Sequence, residues 1–165
     1  MILVVAAMES EVRSILNHPI PGIDVLITGV GKVNAAMKLT EYLSKHQVSA
    51  IYNVGFAGAS NHYQSRDIVL VKESSYHDFD LSMFGYEKGQ VPNYPASFQT
   101  DQKLFDQIQE NLKDIKMGHL YTGDQFVTGQ ISYPMICDME GTALYQVAYV
   151  YDIPMVSIKV ISDII

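Results

Sequence analysis

The run Ile2-Leu3-Val4-Val5 contains no residue suited to face water on either side, the pattern of a strand buried on both faces of a parallel sheet. A chain that opens this way needs helices to cover both faces, and the rest of the sequence supplies them in alternation. Met8, Val12, Ile15 and Leu16 recur at helical spacing. Residues 23–28 read as a second strand, Gly29-Val30-Gly31 as a turn, and residues 32–46 as a helix with Val33, Ala36, Met37 and Leu43 facing inward. Further strands are expected at 50–54 and 67–71, separated by the glycine-containing stretch 55–59. Residues 73–100 carry aromatics, prolines and glycines without sustained periodicity, which predicts a long ordered loop. A helix at 101–112 would turn Leu104, Phe105, Ile108 and Leu112 to one side. Strands at 118–121 and 135–137, a helix to about residue 149 and a strand at 155–161 complete the pattern. The alternation predicts a layered α/β fold with a mostly parallel sheet, whose ligands sit beyond the carboxyl ends of the strands.

The chain has 165 residues, 48% of them hydrophobic, which suits one domain spanning 1–165 with a sizeable core. A formal charge of -7, with Arg13 and Arg66 the only arginines, disfavours nucleic acid and anionic membranes as partners, because both demand clustered cations. The single Cys137 excludes an internal disulfide framework and suits a reducing, cytoplasmic setting. The apolar opening is too short for a membrane span and lacks the basic flank of a signal peptide.

Three carboxylates each follow a predicted strand. Glu11 (with Glu9) comes after the first, Glu140 after the short strand at 135–137, and Asp163 closes the last. Singly, each has an ordinary explanation, since acidic residues favour the first turn of a helix and Ser-Asp is common cap chemistry. Together they are what a site would use for separate acid, base and sugar-holding groups. Gly29-Val30-Gly31-Lys32 is not a phosphate-binding P-loop: Leu26 stands where that motif needs glycine, and Val33 where it needs serine or threonine. The dinucleotide fingerprint fails for want of a third glycine. Tyr76-His77-Asp78-Phe79-Asp80 lacks zinc spacing, so neither a metal nor a cofactor is expected.

Eight segments, in order, resemble the methylthioadenosine/S-adenosylhomocysteine nucleosidase family of the purine nucleoside phosphorylase superfamily. They are Ala7-Met8-Glu9-Ser10-Glu11-Val12, Gly29-Val30-Gly31-Lys32-Val33, Tyr76-His77-Asp78, Phe84-Gly85-Tyr86-Glu87, Gly89-Gln90, Gly123-Asp124, Asp138-Met139-Glu140 and Ile161-Ser162-Asp163. The resemblance implies a three-layer fold with a mixed central sheet, and hydrolysis of the N-glycosidic bond of a purine nucleoside. By position, Glu11 is similar to the base that activates water, and Glu140 to the acceptor of the ribose hydroxyls with Met139 beside it. Asp163 resembles the acid that protonates adenine N7, with Ser162 as its helper; Phe126 would stack on the base and Val127 supply backbone contacts. Met8 and Val30 would line the alkylthio side, closed in a homodimer by the partner's Leu81, Phe84, Tyr86 and Pro92.

Four departures accompany the resemblance. The stretch before residue 23 is short and without a hairpin, Phe56 replaces a small hydroxyl residue, and Lys159 stands where arginine is common. The family's long terminal helix has no counterpart after Asp163, so a C-terminally truncated family sequence is expected. The rival functions are a nucleoside phosphorylase, a futalosine hydrolase and a catalytically silent nucleoside-binding relative.

Overall fold

The computed structural model describes residues 1–165, and its centre is one eight-stranded sheet. In chain order the strands are β1 (Ile2–Ala6), β2 (Ile23–Ile27), β3 (Ala50–Ala59), β4 (Ile68–Tyr76), β5 (Phe98–Gln99), β6 (Lys116–Thr122), β7 (Ile136–Asp138) and β8 (Met155–Ile164). The helices are α1 (Arg13–Asn17), α2 (Lys32–Leu43), α3 (Gln102–Asn111) and α4 (Gly141–Tyr151). β1 pairs in parallel with β2 and β3, β3 with β8, β4 with β6, and β6 with β7. Antiparallel pairs join β3 to β7, β4 to β5 and β4 to β8. The pairings β3–β8–β4–β6–β7–β3 close on themselves, so part of the sheet curls into a ring. The result is the mixed, mostly parallel sheet flanked by helices that the alternation predicts.

Burial on both faces follows from the apolar runs. Along β4, Val69 and Val71 join the core beneath α4, with Leu144 and Ala148, while Leu70 between them packs against Leu104, Phe105 and Ile108 of α3. A strand read in this way alternates by two and has no polar face to spare. α3 starts where the Asp101 carboxylate accepts the Leu104 N–H at 3.0 Å. No helix is long and apolar enough to cross a membrane.

Several local expectations are corrected. The glycine-containing stretch 55–59 does not interrupt a strand; β3 runs through it, paired with β8 along its length. Gly55 is required there because a Cβ would stand 2.7 Å from the Glu11 carboxylate. In α2 the core face is Ala35, Leu39 and Leu43, whereas Val33 and Met37 are 74% and 53% exposed. The segment after β1 forms a 3-10 turn at Glu9–Glu11 and the short α1 instead of one helix. Leu112 lies past the end of α3 and is exposed. The long loop is narrower than expected, since β4 extends to Tyr76 and β5 begins at Phe98.

Candidate active site

Beyond the carboxyl ends of β1, β3, β7 and β8 lies a cavity of about 200 Å³, lined by Glu11, Glu140 and Asp163 together. Each is delivered by a different local device. The 3-10 turn after β1 brings Glu11 back over the strand end, where its carboxylate accepts three backbone N–H groups: Ala7 at 2.9 Å, Met8 at 3.0 Å and Phe56 at 3.1 Å. Three donors leave that side chain one orientation. Glu9, in the same turn, does not line the cavity.

Asp163 depends on a register shift. Ala57 pairs with Ile161 but Gly58 pairs with Asp163, so Ser162 is the extra residue of a bulge in β8. A bulge redirects the side chains that follow it, and such features recur beside active sites. The Ser162 hydroxyl donates to the Asp163 carboxylate at 3.0 Å, and both residues face the cavity.

Glu140 precedes α4, is 9% exposed, and accepts the Gly31 N–H at 2.9 Å. Gly31 has φ +98°, a conformation that favours glycine and aims this N–H across from the start of α2. Burial first, and then the nearby charge of Asp138, push the Glu140 carboxyl from 4.5 up to about 7, against the opposing pull of Gly31 and Lys159. Within that window the folded chain holds a proton the unfolded chain has released, so this group makes stability fall as pH rises through it. The expected result is that the stability of the wild type relative to Glu140→Gln falls between about pH 5 and about pH 8 in urea unfolding. A difference that is flat or rises with pH contradicts this.

Met8, Val30, Met139, Phe126 and Val127 also line the cavity, as do Phe56 and Cys137. Phe126 is 77% exposed, an aromatic ring presented to the opening rather than packed in the core. Burial, with the Asp138 charge next, raises the Cys137 thiol to about 11, which keeps it protonated. Leu81, Phe84, Tyr86 and Pro92 do not line this chain's cavity; they lie on the loop between β4 and β5.

Asp138, which also lines the cavity, belongs to a buried ion pair that the sequence reading did not identify. Lys159 Nζ lies 3.1 Å from the Asp138 carboxylate, with side chains only 3% and 2% exposed. Asp138 also accepts the Thr122 hydroxyl at 2.6 Å and the Gly141 N–H at 2.8 Å. The signal was present, because a lysine inside the apolar run 155–161 needs a buried partner.

Comparisons with known proteins bear on the chain as a whole. A model of the phosphorylase superfamily matches residues 22–165. The chain is 37% identical to the 5'-methylthioadenosine/S-adenosylhomocysteine nucleosidase of Haemophilus influenzae (strain PittGG), over 94% of this chain and 76% of that one. It is 33% identical to the enzyme of the same name from Bacillus thuringiensis subsp. konkukian, over 99% of this chain and 85% of that one. The Streptococcus pneumoniae MTA/SAH nucleosidase, solved in complex with 8-aminoadenine, superimposes with a TM-score of 0.90 at 30% identity, over 98% of this chain and 85% of that one. A matching superfamily model over most of the chain, and relatives above 30% identity over most of their own length, place it: the chain belongs to the 5'-methylthioadenosine/S-adenosylhomocysteine nucleosidase family.

Proposed function

We propose that the cavity hydrolyses the N-glycosidic bond of 5'-methylthioadenosine and S-adenosylhomocysteine, releasing adenine and the corresponding thioribose. The observation that carries this reading is the convergence on one cavity of three carboxylates from separate segments, Glu11, Glu140 and Asp163, beside an exposed aromatic ring. In the proposed roles, Phe126 stacks on adenine, Val127 contacts its edge, and Glu140 with Met139 holds the ribose. Asp163, oriented by Ser162, gives a proton to N7. The C1'–N9 bond then breaks with its electron pair passing to the base, leaving an oxocarbenium-like sugar. Water attacks that cation, and Glu11 takes the proton water gives up. Acid and base assistance each contribute about 100-fold to 10,000-fold.

Phosphorolysis fits less well. Neither Arg13 nor Arg66 lines the cavity, and Lys159 is engaged with Asp138, so no cation is placed to hold phosphate beside Glu11. The assembly is a homodimer in this reading. A second, apolar depression of about 660 Å³ runs between α2 and α4 and is lined by Val33, Val147 and Val150, with Phe79 and Val91 of the β4–β5 loop. Val33 and Val150, 74% and 60% exposed, give this face the character of a subunit contact. Such a contact would carry Leu81, Phe84, Tyr86 and Pro92 toward the partner's alkylthio side. Residues 1–165 act as one nucleosidase-like unit in the cytoplasm, with a purine nucleoside as the small-molecule partner.

The test is adenine release by the purified chain from methylthioadenosine and from futalosine, each with and without phosphate. Release from methylthioadenosine that phosphate does not accelerate is expected. Phosphate-dependent turnover would favour the phosphorylase, preference for futalosine its hydrolase, and nucleoside binding without turnover a silent relative.

A further inference from the structure

The loop between β6 and β7 carries Phe126 and Val127, yet no residue from Gln125 to Pro134 makes a hydrogen bond within the chain. The loop is therefore held at its ends. At the far end, Met135 and Ser60 exchange backbone and hydroxyl bonds: Ser60 N–H to Met135 O at 2.9 Å, and Met135 N–H to Ser60 Oγ at 3.0 Å. At the near end stands Asp124, directly before the residues assigned to the base. Its N–H donates to Asp78 at 2.8 Å, and its carboxylate accepts the Lys32 N–H at 2.9 Å. Lys32 Nζ closes the triangle, 2.8 Å from Asp78 and 4.0 Å from the second Asp124 oxygen.

We infer that Lys32, Asp78 and Asp124 form a clamp of positioning residues that fixes the base-stacking loop over the cavity and ties it to the start of α2. This inference rests on the proposed role of Phe126. The same turn sets both halves of the nucleoside: the Gly31 N–H holds Glu140 on the sugar side, and the next N–H, that of Lys32, holds Asp124 on the base side. Consecutive N–H groups at a helix start suit two carboxylates, one for each loop. Burial alone would raise the Asp78 carboxyl, but the Lys32 ammonium and the Asp124 N–H outweigh it and leave the group below its ordinary range. Lys32 also lies 5.3 Å from the centre of the Tyr76 ring, and both residues border the apolar depression between α2 and α4. The clamp thus spans from the face proposed for subunit contact to the loop over the base. It explains why Lys32, which satisfies no phosphate motif, directly follows the glycine turn.

The test is a double-mutant cycle read by adenine binding in calorimetry. Asp124→Ala is expected to weaken adenine binding about tenfold, the factor set by loss of one hydrogen bond to a charged group. In a Phe126→Ala background the same change should cost less than about twofold, because the clamp acts through that ring. Lys32→Met should behave like Asp124→Ala, and Lys32→Arg, which keeps the charge, should retain most of the affinity. Hydrogen exchange at the backbone N–H groups of residues 32 and 124, which the clamp carboxylates accept, should accelerate in Asp124→Ala and Lys32→Met while α3 keeps its protection, which separates a loosened clamp from an unfolded chain. Equal losses with and without Phe126, or no loss, overturn the clamp. A wild type that binds adenine but releases none from a nucleoside overturns the hydrolytic reading alone and leaves the cycle to decide the clamp. A wild type that binds no adenine overturns both.

Discussion

Asp163→Asn is expected to lower kcat for adenine release by about 100-fold to 10,000-fold, with nucleoside affinity changed by less than about threefold. The amide keeps the size of the side chain and can still accept the Ser162 hydroxyl that now bonds the carboxylate at 3.0 Å. What it cannot do is surrender a proton to the leaving base. An interaction needed only in the transition state lowers kcat and kcat/KM together, which distinguishes a missing acid from a damaged binding site. Glu11→Gln should behave differently. Its carboxylate accepts three backbone N–H groups, and a glutamine NH2 would point a donor at one or more of them. This variant should therefore lose activity to a similar degree and also lose stability. If Asp163→Asn retains more than about a third of the wild-type kcat, the acid has been misassigned.

Lys159→Met carries the largest expected cost in stability, about 3–5 kcal/mol, because it strands Asp138 as an uncompensated charge in the core. Both side chains are nearly sealed from solvent, so water cannot make up for the missing ammonium. For a chain of this size the loss corresponds to a fall in Tm of roughly 10 °C. Lys159→Arg, which keeps the charge, should lose far less. Adding Asp138→Asn to Lys159→Met should recover part of the loss, because the amide needs no counter-charge and its one carbonyl oxygen can still accept the Gly141 N–H, while its NH2 faces the Thr122 hydroxyl, whose oxygen can accept. Thermal unfolding of the three variants checks this, and a Lys159→Met chain as stable as wild type would contradict the structural role of the pair.

Much of this architecture is legible in the sequence, but unevenly. Strands such as β1 and β4 announce themselves because a run of apolar residues with no polar face has few other stable homes. Their ends in turn point to Glu11 and Glu140, and to Asp163, although β8 runs on past the expected residue 161 to Ile164 and carries Asp163 within it; in such sheets the groups at the carboxyl ends of the strands face the ligand. The separate roles of base, sugar holder and acid come from the family resemblance, because spacing alone does not distinguish one carboxylate from another. Other features stay hidden for physical reasons. β3 runs through Gly55 and Gly58, residues with low strand propensity, because its pairing with β8 and the close approach of Glu11 decide the matter. α2 has apolar residues on two sides, so its period does not say which side is core; Val33 and Met37 turn outward while Ala35 and Leu39 turn in. The bulge at Ser162 that brings Asp163 into the cavity exists only as a relation between two strands. The same holds for the clamp, whose three members come from α2, the β4–β5 loop and the β6–β7 loop.

The most direct test of the central claim is to incubate the purified chain with methylthioadenosine in phosphate-free buffer made with oxygen-18 water and weigh both products by mass spectrometry. The account predicts free adenine and methylthioribose carrying one heavy oxygen at C1', formed at a rate that added phosphate does not increase. A folded chain that releases no adenine, or one that requires phosphate and yields an unlabelled sugar phosphate, would contradict it.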